Sequence, residues 1–290
     1  MGVYTLARKN EIFTNSQGTT QKPSPIEGIM KQDVLKEFGW EVPVDNAPLP
    51  SQGLVYPANS SLHGKEVISI KAMTAKEEDI LMSRAYSKLG TTITELIKSC
   101  VIDKDFDPGD LLLGDRQAML VSIRITGYGA EYKLDIDCPA CDKRGIGEFD
   151  LSTLELKRLE IDPVSPGLNE FSTTLPVTKK KVTFKFMTGK DEQEMNTFIE
   201  RRKKLLGDAS ENPVTTRLAF QTVSVESVTD KNKIGMFITN MPARDSLHLR
   251  EYIRNNEPGL NMKSNYHCSH CNADSEVVLP IGVSFFWPTS

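Results

Sequence analysis

Two short stretches, DIDCPACDKRG at 135–145 and NYHCSHCNAD at 265–274, each carry a C-x-x-C pair. Cys138 and Cys141 form the first pair, and Cys268 and Cys271 the second. Thiolates at this spacing are soft, converging donors, and zinc takes four of them in a tetrahedral array. The same spacing also serves thiol–disulfide exchange. That chemistry wants its first cysteine at a helix N-terminus, where the dipole lowers the thiol pKa. Here each pair follows a strand-like stretch and runs into a turn, so the redox reading is weak. The setting is that of a zinc-ribbon knuckle.

Each knuckle supplies only two sulfurs, and the gap between Cys141 and Cys268 far exceeds the ~15–20 residues usual in a ribbon. Three resolutions are open. The two pairs share one four-cysteine site; or each builds its own, with His267 and His270 completing the second; or the knuckles hold no metal. A site of four thiolates has no open position for water, so Zn2+ there would be a structural clamp without hydrolytic chemistry.

An internal repeat favours the shared site. VTFKFMTGKDEQEM at 182–195 follows ISIKAMTAKEEDIL at 68–81. RDSLHLREYIRNNEPGL at 244–260 follows GDRQAMLVSIRITGYGA at 114–130. Asp115 and Asp245, Ile123 and Ile253, Arg124 and Arg254, and Gly129 and Gly259 share one common offset. Cys138 and Cys268, and Cys141 and Cys271, keep that same offset. Met73 and Met187 lie closer together, so the second copy carries extra residues, assigned to LLGDASENPVTT. The expectation is an internally duplicated, two-lobed α+β protein. Each lobe reads strand–helix–helix–strand and ends in a C-x-x-C knuckle. A pseudo-twofold between lobes would bring equivalent tips together.

The elements that must position the knuckles follow from pattern. Thr74 to Glu77 is a capping box, predicting a helix through about Leu89. A second helix from Thr92 puts Ile93, Leu96, Ile97 and Cys100 on one stripe, which makes Cys100 a core residue. A third helix spans about 115–125. Residues 1–66, rich in Ser, Thr, Gly and Pro, read as an extended N-terminal arm. The first lobe is placed at 67–165 and the second at 166–290. Phe285, Phe286 and Trp287 near the C-terminus read either as packing of a final strand or as an aromatic anchor for a partner protein.

The 290 residues are 39% apolar and 26% charged, with a net charge of −4, as in soluble globular chains. That balance argues against phosphate binding as the main activity. No apolar leader and no apolar run of ~18 residues occurs, so no membrane segment is expected and the chain reads as made in a reducing cytoplasm. DKDFDPGDLLLG at 103–114 imitates a calcium loop, but Pro108 and Gly114 occupy the positions that need glycine and glutamate. No phosphate loop, zincin motif or nucleophile–base set is present. An enzyme with a small-molecule substrate is not expected.

Taken together, LPSQGLVYP, MTAKEEDIL, GDRQAML with IRITGYG, CPAC and FFWP resemble the baseplate protein family of T-even-type contractile-tailed bacteriophages. The resemblance is to its baseplate hub subunit. It implies a virion structural or assembly role, a place in the tail baseplate after synthesis in the host cytoplasm, and no catalytic residues. The implied partners are other baseplate hub or wedge proteins, with further copies of the chain among the candidates. Three other readings stay open. One is a transient hub assembly factor. Another is a zinc-ribbon nucleic-acid-binding protein, for which Lys143 and Arg144 are suitable but the NADSE after the second knuckle is not. The third is a thiol oxidoreductase.

Overall fold

The stretch VISIK alternates apolar and polar side chains. It folds as strand β2 (Val67–Lys71), with Ile68 and Ile70 buried and Val67 and Ser69 turned outward. The computed structural model describes residues 39–206 and 212–287; expectations for the stretch before residue 39 lie outside the described residues. β1 (Val44–Pro48) pairs antiparallel with β2, Ala47 opposite Ile68. Residues 43–66, grouped above with the arm, thus lie in the compact unit that spans Pro43–Ser290. Their prolines are tolerated because β1 is one strand of a two-stranded sheet and the rest is turn. Gln52 N–H donates to Leu49 O and Leu54 N–H to Ser51 O, while Leu49, Val55, Tyr56 and Leu62 are buried.

The capping box holds. Glu77 accepts from the Thr74 N–H at 2.9 Å and from its hydroxyl at 2.6 Å, starting α1 (Ala75–Met82). The expected single helix breaks at Ser83, whose extended backbone ends α1 and caps α2 (Arg84–Leu89). In α3 (Thr92–Cys100), Leu96, Ile97 and Cys100 are fully buried. Burial pushes the Cys100 thiol up to about 12, so it is an inert core residue. The acidic loop that follows is neutralised by lysines: Lys65 meets Asp103, and Lys190 meets Asp107 and Asp110.

α4 (Leu113–Tyr128) packs against β1 and leads into the hairpin β3 (Glu131–Asp137) and β4 (Arg144–Asp150). β5 (Leu156–Lys157), β6 (Phe171–Thr174) and β7 (Lys181–Phe184) follow. Then come α5 (Gly189–Leu206), α6 (Pro213–Gln221), β8 (Thr222–Val225), α7 (Lys231–Asn240) and α8 (Ala243–Asn256). β9 (Gly259–Leu260) leads to a second hairpin, β10 (Lys263–His267) and β11 (Asp274–Val278). The fold is α+β, with β6, β7 and β8 forming a three-stranded antiparallel sheet.

Several contacts occur twice. Thr188 and Asp191 start α5 as Thr74 and Glu77 start α1, and Lys185 meets Asp191 at 2.5 Å as Lys71 meets Glu77 at 2.7 Å. Ile70 bridges Val101 where Phe184 pairs with Thr222. Asp115, in the first turn of α4, accepts from the Ser51 N–H and hydroxyl and from the Tyr56 hydroxyl. Asp245, in the first turn of α8, accepts from the Val177 and Thr178 N–H groups. In both cases a buried carboxylate ties a helix N-terminus to the loop between two paired strands.

The halves share one core: the buried apolar side chains form a single cluster running from Ala47 to Phe286. Backbone bonds join Leu113 to Met187 and Gly189 to Leu111, and β5 pairs with β9. At this seam a Cβ on Gly114 would come within 1.8 Å of the Pro258 carbonyl oxygen, so no other residue fits. No helix among the described residues is long and apolar enough to cross a membrane.

Glu77 has no exposed surface. Burial alone would raise its pKa, but hydrogen bonds from Lys71, Ser99 and Thr74 hold it at about 2. A depressed carboxyl contributes stability that is present above its unfolded pKa and lost as pH falls through the folded value. We predict that Glu77→Gln lowers stability at neutral pH by on the order of 3 kcal/mol. The deficit should shrink as pH falls from about 4.5 toward 2. Urea unfolding of both chains across that range measures it, and a deficit independent of pH would contradict the assignment.

Candidate metal centre

Each knuckle is a tight turn at the tip of a two-stranded hairpin. In the first, Cys138 N–H donates to Lys143 O at 3.0 Å and Asp142 N–H to Cys138 O at 2.9 Å. In the second, Cys268 N–H donates to Ala273 O at 3.0 Å and Asn272 N–H to Cys268 O at 2.8 Å. The turn needs a left-handed residue, and Asp142 (φ 55°) and Asn272 (φ 53°) supply it. Asp and Asn tolerate that region better than other side-chain-bearing residues. Ala140 N–H also points at the Cys138 sulfur, 3.4 Å away.

The tips meet. All four sulfurs lie within 4.8 Å of one another. Two contacts cross between knuckles: Cys138 to Cys271 and Cys141 to Cys268, both 3.8 Å. That is too long for a disulfide, whose sulfurs sit ~2.05 Å apart, and all four cysteines are free. It matches the edge of a tetrahedron with ~2.3 Å metal–sulfur bonds, which is about 3.8 Å. Cys138 and Cys268 are buried, Cys141 is half-buried and Cys271 is exposed. The donor set and its spacing suit a metal ion with a preference for sulfur.

The N–H groups of Cys271 and His270 draw the Cys268 thiol down to about 6. The Lys143 N–H favours the Cys141 thiolate, yet burial and the three neighbouring thiols push Cys141 up to about 12. Four sulfurs this close cannot all ionise against mutual repulsion, whereas a divalent cation among them lets all four serve as thiolates.

The histidines point elsewhere. His267 Nδ1 meets Asp274 at 2.8 Å, and His270 Nε2 lies 3.2 Å from the Arg144 carbonyl. The surface around the tips is mixed in charge: Arg144 stands between Asp135 and Asp137, and Lys263 meets Glu276. Phe285 and Phe286 have no exposed surface and lie in a 3-10 turn rather than a strand. Phe285 packs edge-on against Tyr132, ring centres 5.1 Å apart, the core-packing alternative for these two rings. Trp287 is half-buried against the same core. Sequence reasoning missed what holds this tail: Arg124, fully buried in α4, donates to the carbonyls of Phe285, Gly129 and Glu131. Its pairing with Arg254 in the repeat gave no hint, because Arg254 is solvent-facing.

A family model described as T4 bacteriophage base plate protein matches residues 55–287. No curated protein and no solved structure matches the chain. The matched stretch includes all four cysteines and most of the shared core, and the chain belongs to this family.

If the tips form one centre, elemental analysis of the full chain should find one metal ion. Cys138→Ser and Cys268→Ser should each abolish it, because each removes a quarter of a single coordination shell. Two ions, one of them retained in either variant, would instead mean independent sites.

Proposed function

We propose that this member of the T4 bacteriophage base plate protein family is a hub-type structural subunit of a contractile tail baseplate. In this reading the body is internally duplicated, the expected first lobe at 67–165 being joined by the β1 segment before it and the second lying at 166–290, and Zn2+ held by Cys138, Cys141, Cys268 and Cys271 clamps the lobes. The observation that carries the clamp is the pair of 3.8 Å contacts between sulfurs of different knuckles. Matched capping boxes, matched buried aspartates and matched knuckle turns support the duplication.

The role is architectural. A shell of four thiolates keeps no position for substrate, and the body's other polar clusters are caps and ion pairs that hold elements together. A clamp at the hairpin tips makes the two lobes move as one piece, which suits a subunit that must pass load between neighbours. Those neighbours are taken to be other baseplate hub or wedge proteins, and the location the virion tail. The nucleic-acid reading gains nothing from knuckles whose basic and acidic residues alternate.

Two measurements test this. Chelation of the purified chain should lower its melting temperature by roughly 10 °C, taking about 4 kcal/mol of ligand-linked stability in a body of this size. It should also expose the link between lobes to protease; an unchanged melting curve would remove the clamp. Separately, immunodetection should find the chain in purified tails. Tails that lack it would make it an assembly factor.

A further inference from the structure

The two knuckles share a backbone but differ behind their sulfurs. Tyr266 stands two residues before Cys268, so both side chains leave the same face of the chain, and both are buried. The matching place before Cys138 is Ile136. The Tyr266 ring reaches across to the other hairpin. Its hydroxyl lies over Gly145 of β4, where an added Cβ would come within 2.4 Å of the oxygen. The residue matching Gly145 on β11 is Ser275.

That hydroxyl is buried and has no hydrogen-bond partner among the described residues. A buried O–H without an acceptor costs free energy, so such groups usually mark a missing partner. The polar atoms it faces are sulfurs. A tyrosine hydroxyl carries one proton to donate. The Cys268 sulfur is the side-chain partner within this hydroxyl's reach, and the hydroxyl has no well-aligned hydrogen bond among the described residues.

We propose that Tyr266 is a positioning residue of the metal centre, whose hydroxyl donates an O–H···S hydrogen bond to the Cys268 thiolate in the metal-bound protein. Gly145 is side-chain-free to give that hydroxyl its place. The inference rests on the metal reading above and adds an asymmetry to it. Four thiolates around a dication carry excess negative charge. A donor aimed at one of them withdraws charge from that sulfur and holds it against protonation and loss.

The test uses the full-length chain loaded with Co2+, comparing wild type with Tyr266→Phe. The variant removes one oxygen and keeps the ring. Expected is a shift of the sulfur-to-cobalt charge-transfer band to lower energy, since the freed thiolate is the better electron donor. Zinc release to a chelator should accelerate roughly tenfold. Gly145→Ala, which displaces the hydroxyl from the other hairpin, should shift both readouts in the same direction. Identical spectra and release rates in wild type and Tyr266→Phe would overturn the proposal while leaving the metal site intact. A wild-type chain that takes up no cobalt would overturn both readings. Should the variants fail to fold, wild type loaded with cadmium decides by NMR. Scalar coupling between the Tyr266 hydroxyl proton and the metal supports the bond, and its absence refutes it.

Discussion

Two hairpin tips drawn from distant parts of one chain must meet. Sulfurs 133 and 127 residues apart in sequence sit 3.8 Å from each other, and much of the body can be read as the support that arrangement requires. A two-stranded hairpin is barely stable alone in water. Each therefore leans on the common core, through Tyr132, Ile136 and Phe149 in one and Tyr266 in the other. Each is also delivered by a long helix, α4 or α8, whose first turn is tied down by a buried aspartate. The tips can be placed within a few tenths of an ångström only because the elements beneath them are rigid.

α4 carries the heaviest share of this. At its N-terminal end Asp115 is wholly buried and surrounded by donors rather than by a cation. At its C-terminal end Arg124 is buried among carbonyl oxygens, with no ion-pair carboxylate among the described residues. Each ties the helix to a segment remote in sequence, the Ser51–Tyr56 turn at one end and the Phe285 carbonyl at the other. A neutral side chain at either site would leave buried donors or acceptors unpaired.

The meeting of the four cysteines was more legible in the sequence than its surroundings were. C-x-x-C spacing is a local signal, and a common offset between two such pairs says which tips are equivalent. The capping box at Thr74 was local too, and it held. What stayed hidden depended on long-range context. β1 was not foreseen because nothing near Val44 announces that Ile68 and Ile70 lack a partner strand. The kink at Ser83 was missed because a serine inside a helical pattern is common, and only its extended backbone reveals a boundary. Phe285 and Phe286 were compatible with surface or interior, and the deciding residue, Arg124, lies 161 positions from Phe285. The Tyr266 hydroxyl was unreadable for a related reason: a tyrosine before a cysteine says nothing until the glycine facing it on another hairpin is known.

The contact between Gly114 and Pro258 bears on how such a chain can evolve. A repeated pattern invites the view that one half could be exchanged for the corresponding half of a relative, as modules are. The seam forbids it. The first turn of α4 touches the backbone of the other half so closely that no side chain fits, and the adjoining loops are stitched by main-chain hydrogen bonds. A transplanted half would have to bring the same bare backbone, a Pro258 carbonyl in the same place and a knuckle of matching height. The halves are consequently bound to a shared history: a change on one side of the seam survives only with an accommodating change on the other. Recombination between relatives should therefore leave the two halves together.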